Sequence, residues 1–75
     1  MRIFIMNTRI LELLRKKYEA EQLLHIMNAQ NLLHNAVGVA EHPDIVATVE
    51  GELEKIARCQ DLIEATYKVV PKNST

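Results

Sequence analysis

The sequence predicts an all-α protein: an antiparallel two-helix hairpin of coiled-coil type that dimerises into a four-helix bundle. Three observations predict it. The 75 residues include two glycines, two prolines and abundant Leu, Ile, Glu and Ala, a mix that favours helix. Apolar residues recur at alternating spacings of three and four along two long stretches, as they do on a packed helix face. Between those stretches, Val37-Gly38-Val39-Ala40-Glu41-His42-Pro43-Asp44 crowds helix-stop and helix-start signals into one place.

Residues 1–6 read as an N-terminal extension. Met1-Arg2-Ile3-Phe4-Ile5-Met6 is too short for a signal-peptide core or a bilayer span, and chain termini fray unless tied down. Asn7 then caps the first helix, with Met6 reaching over to Leu11 as a hydrophobic staple. The helical hairpin is expected over residues 7–70: a first helix at about 7–40, a turn at about 38–43 and a second helix at about 43–70. Gly38 supplies the stop. Pro43 suits the first helical position, and Asp44, Glu50, Glu52 and Glu54 complement the dipole of the second helix. Pro71 ends it, leaving 71–75 as a disordered tail.

The hairpin seam follows from the periodicity. Val46, Val49, Leu53, Ile56, Gln60, Ile63, Tyr67 and Val70 alternate by three and four on the second helix; Leu23, Ile26, Gln30, Leu33, Val37 and Ala40 do so on the first. A fold-back about residue 43 sets Leu33 against Leu53, Val37 against Val49 and Leu23 against Ile63. Gln30 and Gln60 then lie one layer apart, either paired as a register-fixing buried amide contact or leaning out to the rim.

The first helix carries a second apolar stripe: Leu11, Leu14, Tyr18, His25, Ala29, Leu32, Ala36 and Val39. One neighbour cannot cover both stripes, and an exposed stripe of this length exceeds what soluble monomers show. The stripe is therefore expected to be an oligomer interface, with a two-fold dimer as the simplest closed form. Leu13, Ala20, Leu24 and Met27 add apolar surface on a further flank.

Chemistry-bearing motifs are sparse. Glu21 and His25 share a helical face four residues apart, spacing compatible with a ligand- or metal-binding bundle at the subunit junction, but without the Glu-x-x-His pairs of helical di-iron proteins. Arg15-Lys16-Lys17 has Glu12, Glu19 and Glu21 within one turn and reads as a helix-surface ion-pair cluster. Cys59, the single cysteine, reads as a small hydrophobe at the seam edge. No Gly-rich phosphate loop or nucleophile-base-orienter set is visible, and the net charge of −1 gives no pull toward nucleic acid or anionic membrane. The sequence thus leads to a non-enzymatic, cytoplasmic protein-protein interaction module: an adaptor, chaperone-like holder or inhibitor of the kind encoded by phages and bacteria. It is expected to need no cofactor and to bind itself and one further protein. The ligand- or metal-binding bundle around Glu21 and His25 is the alternative.

Overall fold

The computed structural model of the chain describes residues 2–35 and 43–69. They form two helices, α1 (Arg2–Asn35) and α2 (Pro43–Lys68), packed against each other as a hairpin. α2 begins at Pro43, where the pyrrolidine ring fits the first helical turn. Asp44 stands in its first turn and Lys68 in its last, so both ends carry the charge that offsets the helix dipole.

α1 departs from expectation at its start. Residues 2–6 are helical instead of a loose extension, and Asn7 lies inside the helix rather than capping it. The physical reason is propagation: Ile3-Phe4-Ile5-Met6 contains no Gly or Pro to stop a helix already nucleated downstream, and an interior Asn costs only about 0.7 kcal/mol. Gly38 and the rest of the expected turn up to His42 lie outside the described residues. So do Ala36, Val37, Val39 and Ala40, and so do Val70 and the 71–75 tail.

The two arms meet antiparallel, and polar side chains record their register. Arg15 of α1 bonds Thr66 of α2, Gln22 reaches Ile56 and Gln60, and His25 and Asn28 both reach Glu52. These pairs are centred near position 40 rather than 43, so each α1 residue faces a position about six residues earlier on α2 than expected, a slide of about 9 Å at the helical rise per residue. It also turns a different face to α2. Buried Ala29 and half-buried Leu11, Leu14, Tyr18, His25 and Leu32 form the contact row of α1; Ile45, Val49, Glu52, Ile56, Cys59, Ile63 and Thr66 form that of α2. Ala29 permits the close approach that a larger side chain there would prevent.

The hairpin is thinly packed. Among the described residues Ala29, Cys59 and Thr66 are buried, and no large side chain is fully enclosed. The molecule measures 58 × 15 × 14 Å with a radius of gyration of 17.4 Å, against about 11 Å for a compact domain of this length.

Candidate interaction surface and interhelical cleft

The two broad sides of the hairpin differ in chemistry. On one, a cleft of about 550 Å³ opens between the helices, with Lys17, Tyr18, Glu21 and His25 of α1 facing Lys55, Arg58, Cys59 and Leu62 of α2. At its edge His25 Nδ1 lies 2.7 Å from Glu52 Oε2. Against an ionised carboxylate, which only accepts, this contact is a hydrogen bond when Nδ1 carries a proton. Asn28 Nδ2 donates to the other oxygen, Oε1, at 3.5 Å, and Lys55 Nζ approaches the same oxygen at 3.9 Å. Glu52 is therefore a partly buried acid on three partners, and its place in the packed face rests on them, since an unpaired carboxylate there would be costly.

Glu21 and His25, the pair behind the alternative reading, are not joined by a third ligand among the described residues. His25 turns to Glu52, and among the described residues no group of three His, Cys, Asp or Glu side chains could hold a metal ion. Cys59 and His25 border the same cleft, but no hydrogen bond joins thiol to imidazole, and the thiol is buried. Burial without an activating base keeps a cysteine inert.

On the opposite side, Gln22 Nε2 donates to Gln60 Oε1 at 3.1 Å and to the Ile56 carbonyl at 3.3 Å. Gln60 thus pairs with Gln22, not Gln30, and both Gln30 and Gln60 are exposed. Further toward the chain ends, Arg15 Nε donates to Thr66 Oγ1 at 2.7 Å, Nη2 reaches the Thr66 carbonyl at 3.4 Å, and the guanidinium lies 3.9 Å over the Tyr67 ring. The buried Thr66 hydroxyl donates its own hydrogen to the Ile63 carbonyl at 2.6 Å, which leaves its lone pairs free for Arg15. The reading of Arg15 as a member of a surface ion-pair cluster is corrected: it is a cross-helix clamp.

The stripe of α1 expected to bind a second copy is the one that faces α2, and the expected hairpin seam is only partly covered. Of the expected oligomer interface, Leu11, Leu14, Tyr18, His25, Ala29 and Leu32 are turned into the hairpin contact. Of the expected hairpin seam, Ile26, Val49, Ile56 and Ile63 are half-buried, whereas Leu23, Gln30, Leu33, Leu53, Gln60 and Tyr67 are exposed. The reason lies in α2: residues 49, 56 and 63 can share a face with 46, 53, 60 and 67 or with 45, 52, 59 and 66, and the bonds from Arg15 and His25 select the second set. Glu52, Thr66, Arg15 and Gln22 were the residues missed. Their seven-residue spacing, 15 to 22 and 52 to 59 to 66, was the available signal, obscured because polar residues count against a seam.

Ten large apolar side chains among the described residues stand more than half exposed. They cover the outer side of α1 (Ile10, Leu13, Leu24, Met27), the flank shared by Leu23, Leu33, Val46 and Leu53, and the C-terminal end at Tyr67 and Val69. Among the described residues no helix is long and apolar enough to cross a membrane. Comparison of the chain with protein-family models, curated proteins and solved structures gives no match.

Proposed function

We propose that the chain is a non-enzymatic, self-associating helical hairpin: two copies form a four-helix bundle that serves as a cytoplasmic adaptor, chaperone-like holder or inhibitor for another protein. Uncovered surface is the observation that carries this reading. The single chain exposes 6228 Å², whereas a folded monomer of 8.6 kDa exposes about 4,700 Å². The excess, about 1,500 Å², reflects the elongated, thinly packed form of the hairpin, whose described residues leave ten large apolar side chains more than half exposed.

The apolar character of that surface points the same way, because soluble monomers seldom leave long apolar stripes in water. A metal- or ligand-binding reading around Glu21 and His25 has no comparable support, since His25 is already engaged by Glu52. Sedimentation equilibrium at micromolar concentration tests the proposal. A mass of twice the 8.6 kDa chain is expected, and a stable monomer overturns it.

A further inference from the structure

We infer that the outer face of α1 is an antiparallel self-pairing seam whose orientation is set by Lys17. The inference rests on the self-association proposed above and names the surface and geometry by which a second copy binds.

Ile10, Leu13, Lys17, Ala20, Leu24 and Met27 follow one another at spacings of three, four, three, four and three, and all six are exposed. At ~100° per residue the row is centred roughly 140° around α1 from the face that meets α2. It is therefore a second coiled-coil seam on a helix whose first seam is already occupied. Lys17, on the side of the row that borders the interhelical cleft, is its one charged member, flanked by small Ala20.

Parallel and antiparallel pairing treat that lysine differently. In a parallel pair each seam residue meets its own copy, which sets Lys17 against Lys17 at a desolvated position. Like charges held there repel. In an antiparallel pair centred between Tyr18 and Glu19, Ile10 meets Met27 of the second copy, Leu13 meets Leu24, and Lys17 meets Ala20. Every large apolar residue of the seam then has an apolar partner. The lysine stem crosses the small alanine and carries its ammonium toward Glu21 of the second copy, one position beyond. Because the axis is two-fold, that charge contact occurs twice.

The geometry also leaves the hairpin itself undisturbed. A pair of α1 helices in contact along this row lies between two α2 helices, giving a four-helix assembly in which the His25–Glu52 and Arg15–Thr66 contacts stay intact. A single row of α1 accounts for Ile10, Leu13, Leu24 and Met27 together.

Cysteine cross-linking in a Cys59→Ala background tests the arrangement on the full chain. Leu13→Cys and Leu24→Cys proteins are oxidised separately and as an equal mixture, with solution mass measured beside them. Antiparallel pairing predicts cross-linked dimer in the mixture and little in either protein by itself. Cross-linking of each protein separately overturns the inference in favour of parallel pairing. A dimeric mass with no cross-link in any sample overturns this seam while leaving self-association standing; a monomeric mass for the unsubstituted chain removes both. As a companion, Leu24→Glu is expected to weaken the dimer by about a hundredfold, since the site occurs twice in a symmetric interface. Leu53→Glu on the other flank is expected to change the dimer constant less than about twofold, as for a residue outside the interface core. The reverse order of effects would assign the interface to that flank.

Discussion

The Arg15–Thr66 clamp gives the sharpest test of the helix register, because it exists in this alignment and in no alignment that pairs Leu33 with Leu53. Arg15→Met keeps the aliphatic stem and removes the guanidinium. The loss comprises a charge-assisted bond at 2.7 Å to Thr66 Oγ1, a weaker one at 3.4 Å to the Thr66 carbonyl and the stack at 3.9 Å on Tyr67. Hydrogen bonds from charged donors contribute about 1.5–3 kcal/mol and an exposed cation–π contact about 0.5–1 kcal/mol. Because Tyr67 is largely exposed and the bonds are only part-buried, a total near 2 kcal/mol is expected after discounting for solvent. For a domain of this size the melting temperature then falls by about 10 °C. Thr66→Val preserves shape and removes the shared hydroxyl. In a double-mutant cycle followed by far-ultraviolet circular dichroism in urea, the coupling energy is expected at about 1 kcal/mol. Protein concentration is held fixed, because association adds to apparent stability. Costs that add to within about 0.3 kcal/mol would mean that the two side chains do not meet, and the register would fall with them.

Three further outcomes follow from the same geometry. Glu52→Ala strips His25 and Asn28 of their acceptor and should cost about 1.5–3 kcal/mol, while Glu52→Gln, which keeps an accepting oxygen, should recover part of that in the same melts; equal losses would mean the contact carries no weight. Gly51→Ala should raise stability by about 1 kcal/mol, because a Cβ there meets nothing within 4 Å; a lower melting temperature would reveal a chain pressed against Gly51. The Cys59 thiol, 4% exposed, should react with an aromatic disulfide reagent only as fast as the hairpin opens, so labelling should accelerate with urea; complete labelling of native protein within the mixing time would contradict its burial.

Much of the architecture was legible in the sequence, and the reason is that it rests on signals local to each element. The three-four spacing makes both arms helical, Pro43 fixes the start of α2, and the presence of two apolar stripes on the first helix follows from angle alone. What could not be read was which stripe faces α2. Residues 49, 56 and 63 belong to both possible frames of α2, and the choice between their companion rows is a rotation of one residue. Counting apolar side chains selects Val46, Leu53 and Tyr67 over Ile45, Glu52, Cys59 and Thr66, because a polar residue at a seam is scored as a desolvation cost. That cost disappears when the other helix supplies the partner: His25 for Glu52, Arg15 for Thr66. Such partners lie 27 and 51 residues away, beyond the reach of any periodicity.

The same exchange explains why the hairpin is left so apolar outside. Within the contact, polar pairs specify register while contributing modestly to stability, since a paired buried charge does little better than break even against its desolvation. The side chains that could contribute most, Leu13, Leu24, Leu33 and Leu53, each with more than half of its surface still to bury and so on the order of 1–2 kcal/mol to gain, are turned to the surface. Putting specificity inside and hydrophobic surface outside makes folding energetically dependent on what covers that surface. Under the self-association proposed above, association and stability become one equilibrium, so dilution below the dimer constant should melt helix as well as separate chains. Loss of helical circular dichroism on dilution, in step with loss of mass, is the expected signature; a monomer that keeps full helicity would break the link.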